Sequence, residues 1–490
     1  MTQSAANAGA NPGWHGKALA NGWNATRGGC HEVIEPATGK VLHVVGLADA
    51  EDIAEAAKAA KAAQPKWAAT PFEARAAIMR RAADILESNG PRIRERFVRE
   101  TGSVPPKFDF ELGLATGMLR EAGAMLTQPH GALLPSTMNR MSIGRRIPHG
   151  VVGVIAPFNA PMALATRAVA PALAVGNTVV LKPDPQTSFA GGFAIAEALL
   201  EAGLPQDCLY VLPGFAEAGE ALVTDPNVAM ISFTGSTQAG RRVGELASRH
   251  LKKVTLELGG KNSMIVFDDA DLDAAASNVA WGCFLHQGQI CMTTGRVLVQ
   301  EGVAEEFLRR LADKAQHLPV GDPAGGQVAL GPVINQRQLQ RIDGIVKDSV
   351  AAGATLCAGG TYDNLFYRPT VLAGVKPGMR AFEEEVFGPV AAVIPFKDED
   401  EAIALNNATE YGLSCGILTR SLERAMYVAN RVTTGKVHIN DQTVGDEPWI
   451  PFGGMGASGN GGRHGGPANW EEFTQWQWIT IQDKATPYPF

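Results

Sequence analysis

The sequence predicts an α/β protein made of two tandem parallel-sheet units and a small separate sheet. Three observations carry this. At 490 residues the chain is longer than one hydrophobic core can serve, so two large units and a small appendage are expected. Short apolar runs at Gly150 to Ala156, Thr178 to Lys182, Cys208 to Leu212 and Ala229 to Thr234 each lead into Pro/Gly signals and a helical segment, the alternation that builds a parallel sheet. A second such series starts near Ser263-Met264-Ile265-Val266-Phe267 and ends near Val437-His438-Ile439-Asn440, with neither a long linker nor an internal repeat.

In chain order, Met1 to Asn21 is rich in Ala, Asn and Gly and lacks both a basic n-region and an apolar h-region, so it reads as a loose arm, not as a secretion signal. Glu32 to Glu35 and Lys40 to Val45 flank the turn residues Pro36-Ala37-Thr38-Gly39, which predicts a hairpin. Asp49 is placed to cap a helix through the Ala-rich run to Ala63, and Phe72 to Ser88 continues in helical spacing until Asn89-Gly90-Pro91. Met141 to Ile147 and Gln475 to Ile481 alternate as strands do and can share one small sheet. Trp476 and Trp478 then lie on one face of a terminal strand, where they need cover from their own chain or, the favoured reading, from another subunit. The division expected is a cofactor domain over 1–125 and 149–258, a catalytic domain over 259–457, and oligomerisation or bridging segments over 126–148 and 458–490.

Composition narrows the function. A chain that is 45% hydrophobic and 19% charged, with 55 glycines and 30 prolines, is a globular enzyme with many tight turns. Its net charge of −7 offers no global attraction for nucleic acid or anionic lipid. The most apolar stretch, Val169 to Leu181, is too short to span a bilayer and is broken by Pro171, Gly176 and Asn177. Six scattered cysteines without CxxC pairing fit neither a disulfide scaffold nor a zinc site, so no metal is expected and a reducing cytoplasm fits best.

Three residues stand where chemistry is possible. Cys291 ends Phe284-Leu285-His286-Gln287-Gly288-Gln289-Ile290-Cys291, a polar, Gly-containing loop between a helix starting near Asp271 and the strand-like Arg296 to Gln300. A lone cysteine is more often a buried, inert hydrophobe than a nucleophile. Glu257 follows the strand-like Lys253 to Leu256 and by itself reads as a solvated strand-end carboxylate. Asn159 ends a strand, where asparagine is usually a turn former.

Taken in order, Pro157-Phe158-Asn159, Lys182-Pro183, Phe233-Thr234-Gly235-Ser236-Thr237-Gln238-Ala239-Gly240, Glu257-Leu258-Gly259-Gly260, Gly288-Gln289-Ile290-Cys291, Glu385-Val386-Phe387-Gly388-Pro389 and Pro451-Phe452-Gly453-Gly454 resemble the aldehyde dehydrogenase superfamily. The resemblance runs from about Asn21 to Ile481. It implies an aldehyde dehydrogenase-like fold, with a Rossmann-like cofactor domain, an α/β catalytic domain and a small oligomerisation sheet in a homodimer or homotetramer. By the same resemblance Cys291 is the nucleophile, Glu257 the general base and Asn159 the oxyanion donor. Such a set oxidises an aldehyde, through a thiohemiacetal and a thioester, to the acid.

The resemblance also assigns a site for NAD or NADP. It comprises Ala156, Pro157, Lys182, Asp184, Pro185, Gly214, Phe233, Thr234, Leu258 and Gly259, with Gly235, Ser236 and Gly240 at a helix N-terminus facing the pyrophosphate. Lys182 would meet the adenosine ribose, Glu385 the nicotinamide ribose, and Phe387 would pack beside the ring. Many NAD-preferring relatives carry a glutamate three residues after the lysine. Here that position is Pro185, and Asp184 replaces the lost carboxylate only if its side chain turns inward, so acceptance of NADP+ beside NAD+ is expected.

Lys182-Pro183-Asp184-Pro185, Val437 to Thr443 and Pro451 to Gly459 resemble the branch that oxidises benzaldehyde, vanillin and salicylaldehyde. Small Ala160 and Ala163 leave room for a ring against Leu285, Ile290, Met292 and Phe452. Arg167, two helical turns past Asn159, is placed to reach a substrate oxygen, although a surface salt bridge is the favoured role. The alternatives are an aliphatic or semialdehyde dehydrogenase, a CoA-acylating member, which the carboxylate at Glu257 opposes, and a non-enzymatic structural protein on the same fold, which the intact Cys291, Glu257 and Asn159 oppose.

Overall fold

The structure, a computed structural model, describes residues 13–490. Residues 1–12 of the expected N-terminal arm lie outside that range, and residues 14 to 19 are no loose arm. Trp14 is buried with its ring centroid 5.2–5.7 Å from those of His43, Phe189 and Phe193. Ala18–Leu19 pairs with Leu209–Val211 and extends a sheet. One indole buries enough apolar area to pin a segment whose polar composition otherwise reads as unstructured.

The first large sheet has seven strands in the order Lys253–Glu257, Val228–Thr234, Val151–Ile155, Thr178–Lys182, Leu209–Val211, Ala18–Leu19, Trp23–Asn24. Its first five strands run parallel. Val151–Ile155 and Thr178–Lys182 are buried at every residue, as central strands covered on both faces must be, which explains their unbroken apolar runs. The second sheet also has seven strands and is centred on Thr294–Gln300, Asn262–Val266 and Ser414–Leu418. It ends at Lys436–Ile439, and only its far edge, Thr355–Ala358, is antiparallel.

Local signals explain the elements around these sheets. Asp49 caps the helix Ala50–Ala68, accepting from the N–H groups of Glu51 and Asp52 while Asp52 accepts from the Asp49 N–H. That helix passes the predicted end at Ala63 because Trp67 is buried and its indole N–H bonds the Leu173 carbonyl at 2.9 Å. Asn89-Gly90-Pro91 ends Phe72–Ser88 but opens Gly90–Thr101 at once, the proline taking the first turn where its missing N–H costs nothing. The hairpin Cys30–Ile34 with Val41–Gly46 forms as predicted.

Thr474–Ile481 pairs antiparallel with Met141–Pro148, and Gly131–Leu133 completes this third sheet. Arg146 stands 4.1 Å over the ring of Trp476, and the Trp478 N–H donates to Ser142 Oγ at 2.9 Å. Both indoles nevertheless remain 56% and 62% exposed on an edge strand. Among the described residues no helix is long and apolar enough to cross a membrane, and no cluster of three or more His, Cys, Asp or Glu is placed to hold a metal.

Candidate active site

Cys291 is reached through a strained turn. The helix Leu272–Phe284, capped by Asp271, gives way to His286 and Gln287 at φ 49° and 55°, both buried. Backbone of this kind costs free energy and persists only where surroundings hold it. Here the Gln287 amide donates to the Gly102 carbonyl at 2.8 Å, and the Asn262 amide donates to the carbonyls of Cys291 and Thr293, each at 2.8 Å. Gly288 is required: its φ is 67°, and a Cβ there would sit 2.1 Å from the Gly388 oxygen. Cys291 is a free, partly exposed thiol packed with Leu285, Ile290, Met292, Leu413, Val444 and Phe452. Burial pushes this thiol up to about 12, while Arg167 and Lys436 pull it down.

Glu257 ends a strand beside Thr234. Its backbone carbonyl accepts from the Gly235 N–H at 3.1 Å, tying this strand end to the turn after Thr234, while the residue as a whole is 2% exposed. Neither carboxyl oxygen has a hydrogen-bond partner among the described residues. Facing them is His464, whose Nδ1, also without a partner, lies 3.9 Å from Glu257 Oε1. Burial raises the Glu257 carboxyl to about 8 against the pull of Arg167 and Arg463, and drops His464 to about 3. His464 is therefore neutral at working pH and supplies no counter-charge. Asn159 is buried in the turn between Val151–Ile155 and the helix Pro161–Ala174, and its carbonyl accepts from Lys107 Nζ at 2.6 Å.

Most of the residues expected to hold a dinucleotide follow strand ends of the first sheet, while Glu385 and Phe387 come from the loop before Val390–Phe396 of the second. Ala156 and Pro157 follow Val151–Ile155, and the Ala156 N–H bonds the Lys182 carbonyl at 3.1 Å. Lys182 is buried, its ammonium donating to the carbonyls of Gly214 at 2.6 Å and Pro183 at 3.3 Å, which leaves one of its three protons for a ligand. The strand bearing Phe233 and Thr234 runs through Gly235 into a helix Thr237–Arg249 capped by Ser236, with Gly240 on its buried face. Glu385 accepts from the Gly260 N–H at 3.1 Å, and a Cβ on Gly259 would strike its carboxylate at 2.2 Å, so Leu258-Gly259-Gly260 carries no side chain where this acid must lie. Burial lifts Glu385 to about 7 against the pull of the Gly260 N–H, Arg341 and Lys261. Phe387, at φ 55°, packs edge to face on Phe158 with centroids 5.9 Å apart. Asp184 caps its own turn, one oxygen accepting from Gln186 N–H at 2.9 Å, and Pro185 is buried behind it. A capped helix start, a lysine with a free proton and a buried carboxylate able to accept from a hydroxyl fit an anionic, ribose-bearing group.

Of the expected pocket residues, Leu285, Ile290, Met292 and Phe452 come together around Cys291. Ala160 precedes the helix Pro161–Ala174 at φ −138°, partly exposed. Ala163 lies behind the wall, packed on Leu114 and Met118. The favoured role for Arg167 is corrected: its salt bridge is not at the surface. The guanidinium pairs with Asp446, the two side chains 6% and 4% exposed, and lies 4.1 Å over the ring of Phe452, with Nη1 left without a partner among the described residues. An arginine on a helix that is buried at every residue has no solvent to reach. Lys436 approaches the same ring at 4.5 Å and bonds the Gly445 carbonyl. Lys436, Asp446 and His464 went unnoticed in the sequence. Each stands in a loop or strand end without a local motif, and only chain crossing brings them to Phe452.

The model of the aldehyde dehydrogenase family matches residues 23–479. A vanillin dehydrogenase of Amycolatopsis sp. is 54% identical over 97% of this chain and 98% of its own length. A benzaldehyde dehydrogenase [NAD(+)] of Pseudomonas putida is 50% identical over 98% and 99%. The crystal structure of a salicylaldehyde dehydrogenase from Pseudomonas putida G7, complexed with salicylaldehyde, superposes with a TM-score of 0.93 at 36% identity, covering 97% of this chain and 99% of that one.

Proposed function

Because the chain belongs to the aldehyde dehydrogenase family, we infer that it oxidises an aromatic aldehyde of the benzaldehyde type to its carboxylic acid, with Cys291 as nucleophile. The observation that carries this reading is the surroundings of Phe452, where a partly exposed thiol is packed among apolar side chains and an unpartnered carboxylate of raised pKa lies beside His464, the backbone partner of Phe452. An apolar cluster with an aromatic wall favours a ring over a short chain. The relatives named for vanillin, benzaldehyde and salicylaldehyde support the same class.

The thiolate of Cys291 adds to the aldehyde carbon, and the Asn159 amide with the Cys291 N–H steadies the oxyanion of the thiohemiacetal. NAD or NADP, held by the residues from Ala156 to Phe387 described above, supplies the hydride acceptor when bound. Glu257 then takes a proton from the water that cleaves the thioester, and the acid leaves with a free thiol. Arg167 meets an oxygen substituent of the ring through its unpartnered Nη1. Both cofactors are used: Pro185 offers no acceptor to a ribose 2′-hydroxyl, and one oxygen of Asp184 is spent on Gln186. The exposed Trp476 and Trp478 on an edge strand support a homodimer or homotetramer joined through this sheet, and six free cysteines suit a reducing cytoplasm. The domain boundaries expected from the sequence are retained as part of this reading.

A panel of aromatic and aliphatic aldehydes, run with NAD+ and NADP+, with and without CoA, tests the proposal. Benzaldehyde should give a higher kcat/KM than acetaldehyde, and the free acid should form without CoA. A clear preference for short or charged aliphatic aldehydes, or acyl-CoA as product, would refute it.

A further inference from the structure

Lys107 and Glu111 stand one turn apart on the helix Pro105–Ala124, with Lys107 5% and Glu111 1% exposed, and they bond to each other. Neither belongs to a motif of the sequence, and the hydrogen bonds they make outside the pair go to Asn159, Met162 and Ala163. Taking two charges out of water is costly, and an apolar pair of the same size would hold two helices together at least as well. The bonds they make outside the pair account for their presence. Lys107 Nζ donates to the Asn159 carbonyl at 2.6 Å, and Glu111 Oε2 accepts from the Met162 and Ala163 N–H groups at 3.0 and 3.1 Å. The pair thus grips one short stretch at both ends, the carbonyl of the residue that must aim an amide and the first turn of the helix that follows. Between the two grips lies Ala160, whose φ −138°, ψ 63° belong to no regular element. Asn159 lies in neither a helix nor a strand, and its carbonyl is held by Lys107.

We propose that Lys107 and Glu111 are positioning residues, a buried clamp that sets the Asn159 amide in register with the aldehyde oxygen. The proposal rests on the reading of Asn159 as oxyanion donor. Lys107 also lies over the Phe97 ring at 5.4 Å, and Phe97 packs edge to face on Phe108 of the same helix, so the ammonium itself is held on an aromatic floor. With the clamp removed the amide is still present but its aim is lost, and displacement of a catalytic group by about 1 Å costs on the order of a hundredfold in rate.

The experiment is a mutant cycle read by single-turnover formation of reduced cofactor with benzaldehyde. The variants are Lys107→Met/Glu111→Gln, which leaves no orphan charge, Lys107→Arg, which keeps the donor, Asn159→Ala, and the combination of Asn159→Ala with the double variant. The double variant should slow the single turnover about 10- to 100-fold with cofactor Kd unchanged, and Lys107→Arg should restore part of the rate. In the Asn159→Ala background the same double change should cost less than about twofold, since the clamp acts only through Asn159. An equal loss in both backgrounds, or an unchanged rate in the double variant, overturns the clamp. A wild-type rate in Asn159→Ala would instead overturn Asn159 as oxyanion donor. Melting temperature and cofactor Kd detect a variant that has merely failed to fold, and Lys107→Arg then carries the test.

Discussion

The Glu257 carboxyl is set by burial to about 8, and this makes the pH dependence of turnover a quantitative test of its role. Arg167 on the helix Pro161–Ala174, Arg463 on the C-terminal loop and Lys436 on the second sheet pull the value down, and Asp446 pushes it up. None of the three cations bonds to the carboxylate, and His464, held at about 3, stays neutral. As general base Glu257 must be ionised. With a midpoint of about 8, roughly one molecule in eleven carries the active form at pH 7 and ten in eleven at pH 9, so thioester hydrolysis should quicken about tenfold between them. The assay is rapid mixing with excess benzaldehyde, separating the first burst of reduced cofactor from the steady rate. The steady rate should climb through pH 8 while burst amplitude stays constant. Glu257→Gln should keep the burst, lower the steady rate by about a hundredfold or more and flatten the pH profile. A steady rate already flat above pH 6 would mean that the carboxyl ionises in the ordinary range and that burial does not govern it. An equal fall of burst and steady rate in Glu257→Gln would place this carboxylate before the thioester, as the base that deprotonates a thiol held near 12.

Cys291→Ala should abolish oxidation and leave cofactor Kd nearly unchanged by fluorescence titration, while Cys283→Ala, which alters a fully buried thiol that burial pushes far up, should stay active; the reverse pattern would move the nucleophile. The ratio of kcat/KM for NAD+ over NADP+ should lie within about a hundredfold, since a hydrogen bond to a charged acceptor is worth about 1.5–3 kcal/mol and position 185 lacks one. Pro185→Glu should shift that ratio toward NAD+, and no shift would show that this turn does not approach the ribose. Replacing both exposed indoles, Trp476→Ser with Trp478→Ser, should lower the molar mass in analytical ultracentrifugation without changing the fold by circular dichroism; an unchanged oligomer, or a monomeric wild type, removes this strand from the interface.

Periodicity and turn chemistry determined the elements of this protein. The Val/Ile runs before Pro157, Lys182 and Gly235 are parallel strands because only a sheet covered on both faces tolerates unbroken apolar residues, and Asp49 and Asp271 cap helices because their carboxylates meet otherwise unpaired N–H groups. The ordered motifs around Asn159, Glu257 and Cys291 were likewise legible, because each is a short local stretch at a strand end or in a loop, although the burial of Asn159 and Glu257 was not. The polar frame of the site was not legible. Arg167 meets Asp446 across 279 residues, and nothing near either distinguishes a buried ion pair from a surface one. His464 faces Glu257 only because the loop from Phe452 to His464 pairs back on itself beside the strand end at Glu257. Lys107 and Glu111 show the i, i+4 spacing of a solvated helical pair, and only the packing of Pro105–Ala124 against Pro161–Ala174 turns that pair inward onto Asn159. Hydrophobic pattern and turn preference are short-range and written in neighbouring residues, whereas the surroundings that shift a pKa or aim an amide are assembled from segments hundreds of residues apart, and tertiary structure alone decides them.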